Sequence, residues 1–502
     1  MTVRQDFKNT FKIFRSLVSQ MILFHIFPLF ALALLLNSPA LAASPNIILC
    51  MADDQGWEEV AYNGHPELKT PVLDEMARTG FRFDRFYSAA SNCGPTRGSV
   101  MTGRHSFRFG QFGPTWAMRP EEITIAEILQ NNGYATAHYG KWHLGPVKAD
   151  APNNPGNSGF DEWLSHDNFF GIDPPLSRNG APPETHIGES SEIIVRAAIS
   201  FIEKAAEKEQ PFFTVIWFGS CHGPYEAYEQ DRKLYEHLDN EKLPDRYGEI
   251  TAMDRAIGHL REALREQKVA GDTILWYCSD NGLPAHSWYH PKLNGGKGNL
   301  FEGGVRVPAI IEWPNGIKKP ANSSVRSVTS DILPTICDVV DLPLPDRILD
   351  GISLVPLLHG NMKTRPEPIR FWHYESSPEY QNKRWMDAAG QKGTTPTHSN
   401  PATEFRNFHH PVAKTSNFGG DAAIIDDRYK LIVDQSGRHR YEKRTLTPVS
   451  TDVTLFDLLE DPAETTNLAS SKPEVVKKLT RQLRIWQASV EKSMTGAEYL
   501  QN

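Results

Sequence analysis

Three stretches of the chain are apolar almost without interruption: Pro45 to Met51, Pro211 to Phe218 and Thr273 to Cys278. Each has the length of a strand, and a strand apolar on both faces is buried on both. Tyr134 to Tyr139 reads as a fourth, shorter strand. Between them the period changes. Ile193, Ile194, Ala197, Ala198, Phe201 and Ile202 fall on one face of a helix. Tyr247 to Gln267 predicts a second helix, with a charged and an apolar face. Thr70-Pro71 marks a helix start, with Thr70 as N-cap and Pro71 at the first helical position, and Gly80 marks its end. Thr124 and Glu127 form a capping-box pattern for a helix that stops at Gly133. Buried strands alternating with helices predict an α/β domain whose parallel sheet is covered on both faces. Ligands in such sheets lie at the carboxyl ends of the strands.

After about residue 365 the texture changes. Residues 373–420 are rich in His, Asn, Thr and Gly without periodicity and read as long loops. Ala422 to Val433 predicts strands around a turn at Asp426-Asp427, Leu455 to Leu458 another strand, and Pro473 to Lys492 a closing amphipathic helix. The expected division is a catalytic α/β domain over 44–365 and a smaller C-terminal α+β subdomain over 366–502, a short antiparallel sheet with its closing helix and substrate-side loops.

The first 43 residues have a different character. Arg4, Lys8, Lys12 and Arg15 precede an apolar run from Met21 to Leu36, and Ala40 and Ala42 follow it. A basic start, an apolar middle and a small-residue cleavage site describe a secretory signal peptide, which predicts an exported protein, periplasmic or secreted. A retained membrane anchor is the other reading of the same run. No later stretch is long enough to span a membrane, so no membrane contact is expected after cleavage.

Removing residues 1–43 leaves 49 basic against 60 acidic residues, a net charge of −11. That balance excludes generic nucleic-acid binding, which requires a basic face. The five cysteines, Cys50, Cys93, Cys221, Cys278 and Cys337, are too few to staple a chain of 502 residues. Cys50 and Cys278 fall inside apolar strands and are expected to be buried and reduced.

The chemistry concentrates at strand ends. Asp53-Asp54 and Asp280-Asn281 each close an apolar strand. Either pair alone reads as turn residues, but together they form an all-oxygen set that suits Ca²⁺ or Mg²⁺ and suits zinc poorly. In Cys93-Gly94-Pro95-Thr96-Arg97, Pro95 can open a helix with Cys93 at its amino end, where the helix favours an anion. A buried structural cysteine fits those residues equally well. Lys141 and His143 lie two residues apart between Gly140 and Gly145, His222 precedes Gly223-Pro224, and Lys297 lies in a glycine-rich segment. Together they offer cations for an anionic group and imidazoles for proton transfer.

Cys93-Gly94-Pro95-Thr96-Arg97 resembles the C-x-P-S/T-R motif of the type I, formylglycine-dependent sulfatases of the alkaline phosphatase superfamily. Asp53-Asp54, Gly140 to Gly145, His222 to Pro224, Ser279 to Gly282 and Gly295 to Pro308 resemble the family's other motifs in the same order. Arg428 to Leu431 and Leu455 to Leu468 resemble its C-terminal part. The resemblance implies a large mixed, mostly parallel sheet and a sulfuric ester hydrolase. It implies that a separate maturation enzyme oxidises Cys93 to formylglycine (3-oxoalanine), whose hydrate has two hydroxyls. One would bind the cation held by Asp53, Asp54, Asp280 and Asn281, Ca²⁺ before Mg²⁺, and attack sulfur. Lys141 and Lys297 would then hold sulfate oxygens, Arg97 the diol, and His222 would protonate the leaving oxygen. His143 would take the second hydroxyl's proton and so expel sulfate from the covalent sulfo-enzyme.

Sulfated carbohydrate is the expected substrate class. Trp385, Arg406, Phe408, His409 and His410 are candidates for a sugar subsite, or a solvated loop. Two other functions fit parts of the pattern: a phosphate or phosphonate monoester hydrolase on the same scaffold, and a non-catalytic sulfated-glycan binder in which Cys93 is never matured.

Overall fold

A computed structural model describes residues 44–111, 117–284, 292–373, 420–433 and 453–494. Ten strands form one sheet, in the order Ala321–Ser323, Phe81–Phe83, Ala309–Glu312, Thr273–Ser279, Asn46–Ala52, Phe212–Trp217, Ala135–Lys141, Glu162–His166, Pro175–Arg178 and Glu184–Thr185. The five strands from Thr273–Ser279 to Glu162–His166 are mutually parallel. Ala309–Glu312 and Pro175–Arg178 flank them antiparallel, so the sheet is mixed.

The central strands are apolar at consecutive positions because both faces are covered. Ile47, Leu49, Met51, Val215, Trp217 and Trp276 enter one core, while Ile48, Cys50, Ala52, Ile216 and Tyr277 enter the other. The second core is closed by the helices Ser190–Glu207, through Ile194, Ala198 and Ile202, and Leu243–Glu266, through Met253, Ile257 and Leu260. All five cysteines are buried and reduced. Among the described residues no helix is long and apolar enough to cross a membrane.

Several local readings change. The long helix begins at Leu243, a turn before the expected Tyr247. The strand expected to end at Tyr139 continues through Lys141. Thr70 occupies the N-cap position of the helix Pro71–Thr79, but its side chain does not cap. Its hydroxyl instead accepts from the Ala61 amide and donates to Asp74. The free amides of Val72 and Leu73 donate to Asp254, at 3.0 and 2.8 Å, so the cap comes from the long helix.

The C-terminal part has four antiparallel strands in the order Ile369–Trp372, Ala422–Ile425, Tyr429–Val433 and Val453–Asp457. One face packs on the helix Pro473–Met494 through Leu479, Leu483, Trp486 and Val490. The other packs on Tyr87, Leu300, Phe301 and Val305, beside the glycine-rich segment that carries Lys297.

Candidate active site

Strand register assembles the site. Ala52 pairs with Ser279, Met51 with Trp217, and Gly140 with Trp217, so four strands end at one edge. The residues that follow, Asp53-Asp54, Asp280-Asn281 and the turn leading to His222, converge there with Lys141. Gly140 is required at its position: its φ is +96°, and a Cβ would lie 2.0 Å from the Trp217 carbonyl oxygen.

Cys93 is the first residue of a helix, Cys93–Thr102, in which every residue is buried. Pro95 is therefore its third residue, not its first. A Cβ on Gly98 would collide with the Phe109 ring at 2.5 Å, which explains the small residue inside this helix. Gly94 likewise packs against the His143 carbonyl.

The Cys93 Sγ receives Lys297 Nζ at 3.2 Å and lies 3.8 Å from Asp54 Oδ1. Lys297 also donates to Asp54 Oδ1 at 2.5 Å, and Lys141 to Asp53 Oδ2 at 2.6 Å. The Asn281 amide group donates to Asp54 Oδ1 at 2.8 Å. Asp280 accepts the Asp54 amide on one oxygen and Arg97 on the other. Arg97 is directed to Asp280 and to the Lys141 carbonyl. His222 lies parallel to Phe169, with ring centroids 4.6 Å apart. His222 Nδ1 meets the Gly223 carbonyl at 2.6 Å, which makes Nδ1 the donor and turns Nε2 toward Asp54 Oδ2 at 3.8 Å. His143 is buried at φ +56°, its amide on the Asp167 carbonyl and its own carbonyl on Gln111.

Ligand atoms of Asp53, Asp54, Cys93 and His222 all lie within 4.8 Å of one another, the one such group among the described residues. Two buried acceptors beside it, Asp53 Oδ1 and Asn281 Oδ1, have no hydrogen-bond partner among the described residues. Buried acceptors without donors are costly unless a cation meets them. The donor set is rich in carboxylate and amide oxygen and fits a hard divalent cation.

The charges reinforce one another. Burial raises the Asp280 carboxyl, with Asp53 adding to it against Arg97, to about 6. Burial acts the same way on Asp54, but Lys297, His222 and Lys141 prevail and hold it well below the usual carboxylate range. Burial also opposes the Lys297 ammonium, and Asp54 overcomes it. Burial lowers His222 to about 4 and pushes the Cys93 thiol up, against Lys141 and Lys297.

The neighbourhood adds residues that the motif reading missed. Arg246 and Glu59 lie directly behind the turns of Asp54 and His222, and Phe169 covers His222. They are far apart in sequence, and no local pattern marks them. Residues 1–43, and Trp385, Arg406, Phe408, His409 and His410, lie outside the described residues.

Comparison with known proteins supplies the context. The family model described as Sulfatase matches residues 45–342. Human arylsulfatase A is 28% identical, over 91% of this chain and 90% of its own. Pig N-acetylgalactosamine-6-sulfatase is 32% identical, over 64% of this chain and 67% of its own. The crystal structure of Ps i-CgsB in complex with k-i-k-neocarrahexaose superposes with a TM-score of 0.71 at 24% identity, covering 88% of this chain and 92% of that one.

Proposed function

Because the chain belongs to the sulfatase family and is an arylsulfatase-like hydrolase of sulfate esters, we propose that it removes sulfate from sulfated carbohydrates outside the cytoplasm, using formylglycine at position 93. The observation that carries this reading is the contact of Cys93 with Lys297 and Asp54 at the amino end of a buried helix. A neutral, buried thiol is a weak nucleophile. The same position with oxygen on Cβ would face two lysines and a carboxylate cluster. Once hydrated, formylglycine supplies two hydroxyls on one carbon, one to attack and one to release sulfate. A divalent cation, Ca²⁺ or Mg²⁺, held by Asp53, Asp54, Asp280 and Asn281 would supply charge neutralisation and acidify an oxygen of residue 93.

The chain's own groups take the remaining roles. Lys141 and Lys297 neutralise sulfate oxygens, leaving their present carboxylate partners partly to the cation. Arg97 fixes Asp280. His222 presents Nε2 toward the leaving oxygen and donates a proton there from its imidazolium form, which a bound anionic sulfate ester favours, with Nδ1 anchored on Gly223. His143, on the loop packed against Gly94, accepts the proton that accompanies sulfate release. The Phe169 ring beside His222 gives a sugar an apolar face to rest on. Two relatives support the substrate class: one is named for a sulfated amino sugar, and the other is bound to a neocarrahexaose. The composition of the Met1 to Ala43 segment supports export, and the catalytic part gives way to the C-terminal part at about residue 365 in this reading.

Sulfate release from a panel of sulfated oligosaccharides tests this reading, with phosphate and phosphonate esters of one alcohol alongside. Release from sulfated sugars in preference to the phosphorus esters is expected. Preference for the phosphorus esters, or binding of sulfated glycan without turnover by matured protein, overturns it.

A further inference from the structure

We propose that Arg246 is a positioning residue that sets His222 and Asp54 in register with each other. This inference rests on the reading of His222 as the proton donor.

The Arg246 guanidinium is buried, and four of its contacts are short. Nε and Nη2 hold the Glu59 carboxylate at 2.8 and 2.6 Å. Nη1 donates to the Cys221 carbonyl at 2.7 Å, and Nη2 donates to the Asp54 carbonyl at 2.9 Å. Those two carbonyls belong to the two turns that meet in the site. The Cys221 carbonyl belongs to the peptide that enters His222. The Asp54 carbonyl belongs to a non-glycine residue at φ +63°, a conformation that needs external support. The same turns are joined by backbone bonds, Asp53 amide to Ser220 carbonyl and Cys221 amide to Asp53 carbonyl, both 2.8 Å.

The guanidinium itself has little freedom. It projects from the long helix, whose Met253, Ile257 and Leu260 are fixed in the core, and it lies 5.1 Å over the Tyr225 ring just beyond Pro224. Glu59 in turn accepts the Gly56 amide at 3.0 Å, which closes the Asp54 turn on its far side. A pair that served packing alone needs only the bidentate contact with Glu59. The planar fork of arginine allows one side chain to hold a carboxylate and two separate carbonyls, and lysine lacks that fork.

The test measures kcat/KM for aryl sulfates of graded leaving ability, from 4-nitrophenyl sulfate to phenyl sulfate. It compares the matured wild type, Arg246→Lys, His222→Ala and the paired variant Arg246→Met/Glu59→Leu. The paired variant removes both buried charges together and so keeps the fold testable. Displacing a proton donor hurts poor leaving groups most. Arg246→Lys and the paired variant are expected to lose about 10-fold more on phenyl sulfate than on 4-nitrophenyl sulfate, in the direction of His222→Ala. An equal loss on all substrates, with His222→Ala still selective, overturns the inference alone and makes Arg246 a structural ion pair. A His222→Ala variant with no leaving-group dependence overturns the proton-donor reading, and the inference with it. Thermal melts of chelator-treated protein with and without added Ca²⁺ give the independent readout. A smaller Ca²⁺-induced rise in Tm is expected for Arg246→Lys, and an unchanged rise overturns the Asp54 half of the proposal.

Discussion

Arg97 donates through both Nε and Nη2 to a single oxygen of Asp280, at 3.1 and 2.7 Å, and both side chains are fully buried. The other Asp280 oxygen receives the Asp54 amide at 3.0 Å. One arginine therefore orients a carboxylate at the end of one strand against the turn at the end of its neighbour. Arg97→Ala leaves that carboxylate buried without its counter-charge, which costs about 3–5 kcal/mol. Denaturant melts should show a loss of this size, and Ca²⁺ should restore less stability than in the wild type.

Lys430, on the strand Tyr429–Val433, ties the C-terminal sheet to Glu302 and Glu464. Its Nζ lies 3.1 Å from Glu302 and 3.0 Å from Glu464, and all three side chains are buried. Glu302 follows the segment that carries Lys297, and its amide donates to Glu464 at 2.7 Å. Lys430→Met should destabilise the protein by about 3–5 kcal/mol, because two carboxylates lose their shared cation. Added loss of turnover beyond the fraction unfolded, measured well below the Tm, is expected through Lys297.

Asp254 caps a helix that lies 182 residues earlier in the chain. Asp254→Ala should cost about 1–2 kcal/mol, and Thr70→Ala should leave that capping contribution in place. Comparing the two melts separates the cap position from the group that caps.

Acid should unfold the protein partly through His105. Burial lowers this imidazole to about 4, below the ordinary 6.5 of the unfolded chain. Between those values the unfolded state binds a proton that the native state does not, so stability falls as pH drops from about 6.5 toward 4. The neighbouring Asp350 accepts Arg108 and the His105 amide and is held well below the usual carboxylate range, which adds to the loss further into acid. His105→Gln should flatten the profile between pH 6.5 and 4 by up to about 3 kcal/mol, read from urea melts across that range.

What could be read from the sequence was local. Strands apolar on both faces, and carboxylates at their ends, are consequences of a parallel sheet that show in a few consecutive residues. The strand Ala309–Glu312 escaped because it is four residues long, and nothing local says that it runs antiparallel to Thr273–Ser279. Thr70 has the composition of a cap, but the Asp254 carboxyl reaches the same amides from a helix far along the chain. Arg246 and Glu59 are 187 positions apart, and their meeting depends on how the long helix crosses the sheet. The motif residues gathered at one edge because each follows a strand whose register is set by its neighbours.

The central claim is that residue 93 acts as formylglycine. Mass spectrometry of the peptide containing position 93, from protein purified from its own host, tests it most directly. A loss of about 18 Da relative to the cysteine peptide is expected, in the protein fraction that releases sulfate. An intact cysteine at position 93 in fully active protein would contradict it.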